Sequence, residues 1–232
     1  RPVSARDTAL RVLSAGRTAS AWADASLKAQ LRRDGLTGAD AALATRIVYG
    51  VLQNRALLDF YLGAYCSQKL SRLQPPLADI LRIGAYQILF LDKVPDRAAV
   101  NESVELAKKN GRGAASGLVN AVLRKLSLNK AQLPAIPERD ETQALSIRYS
   151  HPKWLVRRLL ALLGREETEA FLAADNAVAP LTVQVNTLRT TAAALTARLA
   201  DAGVTATAHS WVPDCLELTG SGDLTELDAF RE

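Results

Sequence analysis

Apolar residues recur at helical spacing through the first 130 residues of the chain. The clearest stripe runs through the segment 73–95, where four apolar residues and one glycine follow Leu77 at offsets of 3, 4, 7, 11 and 14 residues. These offsets place one stripe along a helix. Pro76 suits the first turn, and Pro95 excludes the α conformation from the residue before it, so we expect a helix that ends near Asp92.

The glycine of this stripe, Gly84, lies in the helix interior. Glycine there costs about 1 kcal/mol relative to alanine, so its presence predicts that a second helix approaches closely.

Earlier in the chain, Ser4 and Asp7 have the spacing of an N-terminal capping box. The segment from Thr37 has a wide apolar stripe, which predicts a central, largely buried helix that breaks near Asn54. Together, about five to seven short-looped helices predict an all-α bundle.

The periodicity changes after AQLPAIPERDE, residues 131–141, where prolines and charges interrupt the helical pattern. Beyond it, LTVQVNTL alternates apolar and polar residues, which predicts a strand. A helix with Leu195 and Leu199 one turn apart follows, and VTATA and CLELTG predict two more strands. The fold class is therefore predicted to be mainly α, with a helical domain at residues 1–138 and a small α/β subdomain of β-α-β-β order at residues 139–232.

Charge is distributed unevenly between these two parts. Residues 1–138 contain 20 Lys and Arg against 11 Asp and Glu, whereas residues 139–232 contain 9 against 13, so the net charges are +9 and −4. The basic part favours a polyanion as its ligand. Because aromatic residues are only 5% of the chain, recognition of a nucleic-acid backbone is expected rather than base stacking. No apolar stretch approaches the length of a membrane span and no secretory pattern opens the chain, so a cytoplasmic protein without a membrane partner is expected.

Basic residues near helix ends are the candidate contacts to such a polyanion. They are Arg1, Arg6, Lys108, Lys109, Arg112, Arg124 and Lys125. A structural alternative exists, since cations near a helix C-terminus interact favourably with the helix dipole. Asn101, in the same region, is expected to hydrogen-bond backbone groups near the start of its helix. The glycines of GRGAASG, residues 111–117, follow a helix and not a strand, so we interpret them as a helix C-cap and turn rather than as a dinucleotide-binding loop.

No residues have the spacing of a catalytic or metal site. Cys66 and Cys215 form no CxxC or Cys/His pattern, so neither a disulfide framework nor a structural zinc is expected. Cys66 is interpreted as a buried apolar residue. His151 lies at a predicted helix start, and neither it nor the isolated His209 has the sequence partners of a catalytic triad.

The segment ILRIGAYQILFLDKVPDRAAVNESVELAKKNGRGAASGLVNAVLRKL, residues 80–126, resembles the signature half of the NusB antitermination-factor fold. The matching features are the proline after the apolar helix, the NESVELAK helix and the VNAVL helix. ARDTALRVL resembles the N-terminal helix of that family, where an Arg-rich start contacts RNA. The resemblance implies a NusB-like helical bundle that binds RNA.

RYSHPKWLVRRLL, PLTVQVNTLRTT and PDCLELTGSGDLTELDAF resemble the stretch between the NusB-like and catalytic domains of bacterial 16S ribosomal RNA cytosine-5 methyltransferases of the Sun/Fmu type. The resemblance implies small-subunit ribosomal RNA as a partner. It also implies a further methyltransferase domain, which would bind S-adenosylmethionine and act together with this region. The chain has no methionine and ends without a terminating signal, so we expect it to be a piece of a longer protein.

The resemblance carries over no catalytic residue. The nucleophilic cysteine of this family usually follows a proline, whereas Cys66 follows Tyr65 and Cys215 follows Asp214. These 232 residues are therefore expected to be inactive alone and to hold no cofactor. Two other hypotheses are a stand-alone NusB-like RNA-binding factor in transcription antitermination or regulation, and a helical protein-interaction domain with a solvated basic face. The segment from Ser150 onwards discriminates, because only the enzyme needs it.

Overall fold

The computed structural model describes residues 3–18, 23–220, 222, 224 and 227–231, with residues 17 and 18 described by their backbone only. Two compact units divide between Asn176 and Ala177. The first is helical and the second combines a small sheet with helices, which confirms the predicted fold class.

The first unit is a bundle of helices joined by short connections. Its helices are α1 (Ala5–Thr18), α2 (Ala23–Asp34), α3 (Gly38–Gln53), α4 (Arg55–Tyr65), α5 (Pro75–Phe90), α6 (Asp96–Lys109), α7 (Ser116–Leu128), α8 (Glu141–Tyr149) and α9 (Lys153–Asp175). Short 3₁₀ turns lie at Leu70–Arg72, Gly113–Ala115 and Lys130–Gln132. The break at Asn54 between α3 and α4 and the end of α5 before Asp92 confirm two predictions from the sequence.

Helix α5 is the centre of this bundle. Every residue from Leu77 to Ile88 is buried, and α5 packs against α1, α3, α4, α6 and α7. Helix α3 instead buries one face, while Tyr49 and Leu52 on it remain about 40% exposed. The prediction that the α3 segment is the central helix was therefore wrong. Helix α5, and not α3, is surrounded by helices that precede it and helices that follow it in the chain.

Gly84 marks the point where α6 and α7 approach α5. A Cβ atom built at Gly84 would lie 2.4 Å from Leu123 Cδ1 and 2.7 Å from Ser103 Oγ. Both distances are shorter than van der Waals contact, so only glycine allows the three helices to pack at this spacing. The predicted close approach is confirmed.

The turn between α8 and α9 fastens both helices to the bundle. Ser150 Oγ accepts hydrogen bonds from the Ala56 and Leu57 backbone N–H groups at 3.1 and 3.2 Å, so it caps the start of α4 from a different element. Gln53 Nε2 also donates to the carbonyl oxygen of Asn176 at 2.6 Å. These contacts explain why the first unit extends to Asn176, beyond the break predicted at 138/139.

His151 completes this turn. Its Nδ1 lies 2.7 Å from the Tyr149 carbonyl oxygen, and its Nε2 lies 2.8 Å from Asp175 Oδ2 at the end of α9. Asn176 Nδ2 donates to the same Tyr149 carbonyl at 2.8 Å. The imidazole thus joins the start of α9 to its end, across the bend at Gly164, and its position is explained by structure alone.

The second unit is a three-stranded antiparallel sheet with helices. Its elements are β1 (Leu181–Gln184), α10 (Ala192–Asp201), β2 (Thr205–Ala208), β3 (Cys215–Thr219) and α11 (Asp228–Arg231). The strand order is β1-β3-β2, and β3 is the central strand. The buried core of this unit consists of Val185, Leu199, Val204, Leu216 and Leu218. The predicted β-α-β-β order is confirmed.

Candidate nucleic-acid interface

Helix α6 ends in a tight turn that fixes the position of Arg112. The Arg112 N–H donates to the Ala107 carbonyl at 2.8 Å, and the N–H of Gly111 donates to the Lys108 carbonyl at 3.2 Å. Gly111 has a φ of +70°. This is the Schellman pattern, which satisfies the last carbonyl groups of a helix. The interpretation of GRGAASG as a helix C-cap and turn is confirmed.

Lys109 joins the end of α6 to the start of α1. Its Nζ lies 3.0 Å from Asp7 Oδ2, which also accepts hydrogen bonds from the Ser4 N–H at 2.9 Å and from the Ser4 hydroxyl at 2.7 Å. The Asp7 N–H donates back to Ser4 Oγ at 3.3 Å, so the predicted capping box is confirmed. Burial raises the pKa of Asp7, but the hydrogen bonds from Ser4 and Lys109 and the charge of Lys109 outweigh it and hold that pKa below its ordinary value.

The other cations near this end also have protein partners. Arg6 Nε donates to Gln87 Oε1 at 2.7 Å, and Lys108 Nζ lies 2.7 Å from Glu105 Oε1. A groove of about 320 Å³ between them is lined by Ser4, Arg6, Asp7, Glu102, Glu105, Leu106 and Lys109. Carboxylates outnumber cations in that lining. Arg6, Lys108 and Lys109 are therefore engaged within the protein, and the groove that Arg6 and Lys109 line does not favour an anion.

Arg112 differs from its basic neighbours. Its Nε is buried and has no hydrogen-bond acceptor among the described residues, although the residue as a whole is partly exposed. A buried donor without an acceptor costs free energy, and a guanidinium prefers a phosphate or carboxylate oxygen as its acceptor. No ion pair to Arg112 exists among the described residues, so its guanidinium is the one at this end of the hairpin best placed to bind an anion through its terminal nitrogens.

Arg124 and Lys125 lie at the opposite end of the α6–α7 hairpin. The two helices are antiparallel, because Ser127 near the end of α7 donates to Asp96 at the start of α6 at 2.9 Å. At a rise of 1.5 Å per residue, the two ends of α6 are about 20 Å apart. Both basic side chains are exposed, and neither has an ion pair within the part of the chain that the structure describes. The predicted contacts therefore form two separate sets.

Arg97, Asn101 and Asn120 were not among the predicted contacts, although they belong to the same end as Arg124. They line a second groove of about 440 Å³ together with Val100, Arg124, Ser127 and Leu128. The expectation that Asn101 hydrogen-bonds backbone groups was wrong: its side chain is exposed in this groove. The i, i+4 spacing of Arg97 and Asn101, and of Asn120 and Arg124, was the available signal in the sequence.

The remaining candidates have structural positions or lie outside the described residues, as Arg1 does. His209 Nδ1 accepts hydrogen bonds from the Trp211 and Val212 N–H groups at 3.3 and 3.1 Å and holds the turn after β2. Cys66 packs against the helical core as a partly buried residue. Among the described residues, no cluster of His, Cys, Asp or Glu could hold a metal ion, and no helix is long and apolar enough to cross a membrane.

Comparison with protein families identifies two consecutive domains. A family model described as "NusB family" matches residues 3–128, and one described as "Methyltr_RsmF/B-like, ferredoxin-like domain" matches residues 151–225. The break predicted at 138/139 falls between the two matched segments. The compact units divide later, because α8 packs on α4 and α9 packs on α8.

Named relatives match nearly the whole chain. The "Probable ribosomal RNA small subunit methyltransferase B" of Synechocystis sp. is 32% identical over 231 residues, which cover 99% of this chain and 52% of the relative. The "Ribosomal RNA small subunit methyltransferase B" of Pseudomonas putida is 33% identical over 227 residues, covering 98% of this chain and 50% of the relative. The chain thus spans about half the length of the curated relatives it matches.

A solved structure supports the fold. The crystal structure of PH0851 superposes with a TM-score of 0.71 at 20% identity, covering 99% of this chain and 51% of that chain. Together with the family matches, this shows that the chain belongs to the NusB family and continues after its NusB domain into a ferredoxin-like domain of the RsmF/B methyltransferase type.

Proposed function

We propose that this chain is the RNA-binding N-terminal region of an S-adenosylmethionine-dependent 16S ribosomal RNA cytosine-5 methyltransferase, and that it positions the RNA for methylation. The order of the two matched domains carries this proposal, with the NusB domain first and the RsmF/B-like ferredoxin-like domain second. The names of the relatives support small-subunit ribosomal RNA as the substrate class.

The distribution of charge supports RNA binding by the helical unit. The unit that extends to Asn176 has 26 Lys and Arg against 17 Asp and Glu, whereas the unit from Ala177 has 3 against 7. Residues 139–176 carry equal numbers of each sign, so the asymmetry is the same at the predicted and at the observed division. A net charge of +9 attracts the phosphate backbone and a net charge of −4 repels it.

The proposal assigns the chemistry to a methyltransferase domain of the same protein. In enzymes that this chain resembles, a cysteine thiolate after a proline adds to the cytosine ring. Cys66 packs against the helical core and Cys215 begins β3, and neither follows a proline. The role of the present region is to hold the RNA, and its partners are the ribosomal RNA and that methyltransferase domain.

A stand-alone NusB-like antitermination factor is the second candidate, because the NusB match taken alone fits it equally well. The ferredoxin-like match over residues 151–225 favours the methyltransferase, since an antitermination factor has no need of that domain. A helical protein-interaction domain is disfavoured by the second domain match and by the relatives, which are named as ribosomal RNA methyltransferases.

A filter-binding titration with 16S ribosomal RNA at several salt concentrations tests the proposal. We expect binding whose affinity falls as salt rises, and a double variant Arg112→Gln with Arg124→Gln that lowers the salt slope by about 0.7 to 0.9 for each phosphate that is no longer neutralised. Arg189→Gln, an exposed arginine of the acidic unit, is the matched control and should bind like the unmodified chain. Absence of binding near physiological salt, or an equal effect in the control, would contradict the proposal.

A further inference from the structure

The groove between α6 and α7 contains a symmetrical set of polar side chains. Helix α6 contributes Arg97 and Asn101, and α7 contributes Asn120 and Arg124. Residues four apart share one face of a helix, and the two helices are antiparallel, so each helix presents one guanidinium and one carboxamide to the same groove. With a volume of about 440 Å³, the groove is in the size range of small-ligand sites.

The spacing of α6 and α7 is held by contacts that do not involve these four side chains. Ser127 Oγ and Lys130 Nζ lie 2.9 and 3.3 Å from the carboxylate oxygens of Asp96, which joins the ends of the two helices. Leu123 and Leu126 of α7 are fully buried in the helical core. The arginines and asparagines are therefore not needed to hold the hairpin together.

The four side chains have unused hydrogen-bonding groups. Within the described ranges, no hydrogen bond or ion pair involves the side chains of Arg97, Asn101, Asn120 or Arg124. Each guanidinium has five N–H donors, and each carboxamide has two donors and one acceptor oxygen. Among the described residues no carboxylate lines the groove, and Asp96 at the start of α6 already binds Ser127 and Lys130. The groove is therefore cationic and open to a ligand that offers several acceptors.

We propose that this groove binds one unpaired nucleotide of the RNA, with Arg97 and Arg124 on its phosphate and Asn101 and Asn120 on its base edge. A guanidinium binds phosphate oxygens in a bidentate manner, and single-stranded bases are recognised by hydrogen bonds along their edges. The inference rests on the proposed function, and it adds a site at which the helical unit distinguishes one nucleotide from another.

The carboxamides favour a nucleotide over an acidic peptide. Carboxylates of a peptide would satisfy the arginines, but they have only acceptors, so donors for the Asn101 and Asn120 oxygens would have to come from the peptide backbone. A base edge presents donors and acceptors side by side, and asparagine pairs with such an edge through both of its polar atoms. Among the described residues, the apolar part of the lining consists of Val100 and Leu128, so there is little surface for apolar peptide side chains.

The first test uses nuclear magnetic resonance on the whole chain, titrated with single ribonucleoside monophosphates. We expect the side-chain amide resonances of Asn101 and Asn120 to shift with at least one nucleotide, and the extent to depend on the base. Inorganic phosphate should shift the arginine Nε resonances only. An acidic peptide that shifts all four side chains as strongly as any nucleotide, or no shift with any nucleotide, would overturn the inference.

The second test compares uncharged and charged substitutions in binding of 16S ribosomal RNA. Asn101→Ala with Asn120→Ala should weaken binding about tenfold without changing the salt slope, because no charge is removed. Lys125→Gln, on α7 but outside the groove, is the charge control and should lower the affinity together with the salt slope. Both asparagines are at least partly exposed, so the variants should unfold at the same urea concentration as the unmodified chain.

These two tests separate failure of the groove from failure of the proposed function. Binding of ribosomal RNA that is unaffected in the double asparagine variant would overturn the groove while leaving RNA binding in place. If nucleotides shift the Asn101 and Asn120 resonances but the chain does not bind ribosomal RNA, the nucleotide site is supported and the proposed function is contradicted.

Discussion

Neighbouring cations at the end of α6 have different roles. Lys109 binds Asp7 and so links α6 to α1, whereas the buried Nε of Arg112 has no acceptor among the described residues. A basic residue that is already paired contributes little to binding an anion, because its partner must first be displaced. At this end of the hairpin, Arg112 rather than Lys109 should therefore determine the affinity for RNA.

The first prediction compares Arg112→Gln with Lys109→Gln. We expect Arg112→Gln to weaken binding of ribosomal RNA without lowering the free energy of unfolding. Lys109→Gln should lower the free energy of unfolding by about 0.5 kcal/mol, the usual size for a partly exposed ion pair, and affect RNA binding less. Urea denaturation and filter binding measure the two quantities. If Lys109→Gln weakens RNA binding and Arg112→Gln does not, Lys109 and not Arg112 contacts the RNA.

The second prediction concerns acid. Because the pKa of Asp7 is lower in the folded chain than its ordinary value of 3.8, its stabilising contribution is complete above that value and is lost as pH falls through the folded pKa. Asp7→Asn should thus be less stable than the unmodified chain near neutral pH, and the difference should shrink below about pH 4. Urea denaturation at a series of pH values measures it. If the difference in the free energy of unfolding stays constant with pH, the pKa of Asp7 is not lowered by folding.

Residue partners that are close in sequence could be predicted, and distant ones could not. The Ser4–Asp7 capping box follows from a spacing of three residues. The bond between Asp7 and Lys109 joins residues 102 positions apart, so no local pattern indicates that Lys109 is already paired. For the same reason the sequence grouped Lys109 with Arg112, although only tertiary packing decides which of them is free.

At the level of elements, the α8–α9 turn extends the bundle beyond the NusB match. Ser150 caps α4 in place of a residue from α4 itself, and His151 joins both ends of α9. Asn54, which precedes α4, makes no side-chain cap to it. The start of α4 therefore depends on a residue more than 90 positions later in the chain.

The third prediction tests this cap. Ser150→Ala should lower the free energy of unfolding by about 1 to 2 kcal/mol, because it leaves two backbone donors of α4 without an acceptor. Hydrogen exchange at the Ala56 and Leu57 amides should accelerate. Ser71→Ala, an exposed serine, is the control and should stay within about 0.5 kcal/mol of the unmodified chain. Unchanged exchange at those two amides would show that Ser150 is not the cap.

Helix positions along the chain were predictable, but the neighbours of each helix were less so. Gly84 indicated the close approach of other helices, because an interior glycine needs a compensating contact. The wide stripe of α3 and the stripe of α5 looked similar in sequence, and only the packed bundle shows that α5 is enclosed. The α6–α7 groove was missed because its four polar residues come from two helices, and each pair taken alone resembles a solvated face.

For the whole molecule, the charge difference does not depend on where the chain is divided. Net charge depends only on composition, and residues 139–176 are neutral, so moving the division to Asn176 leaves +9 and −4 unchanged. The position of the division depends on contacts such as the one between Gln53 and Asn176, which the sequence does not reveal. At this scale, we expect the helical unit to hold the RNA and the acidic unit not to.

Photochemical cross-linking of the chain to 16S ribosomal RNA, followed by mass-spectrometric mapping of the linked peptides, tests this central claim most directly. We expect cross-links in α6, in α7 and in the turn that carries Arg112, and none in β1, α10, β2 or β3. Cross-links concentrated in the acidic unit, with none in α6 or α7, would contradict the account.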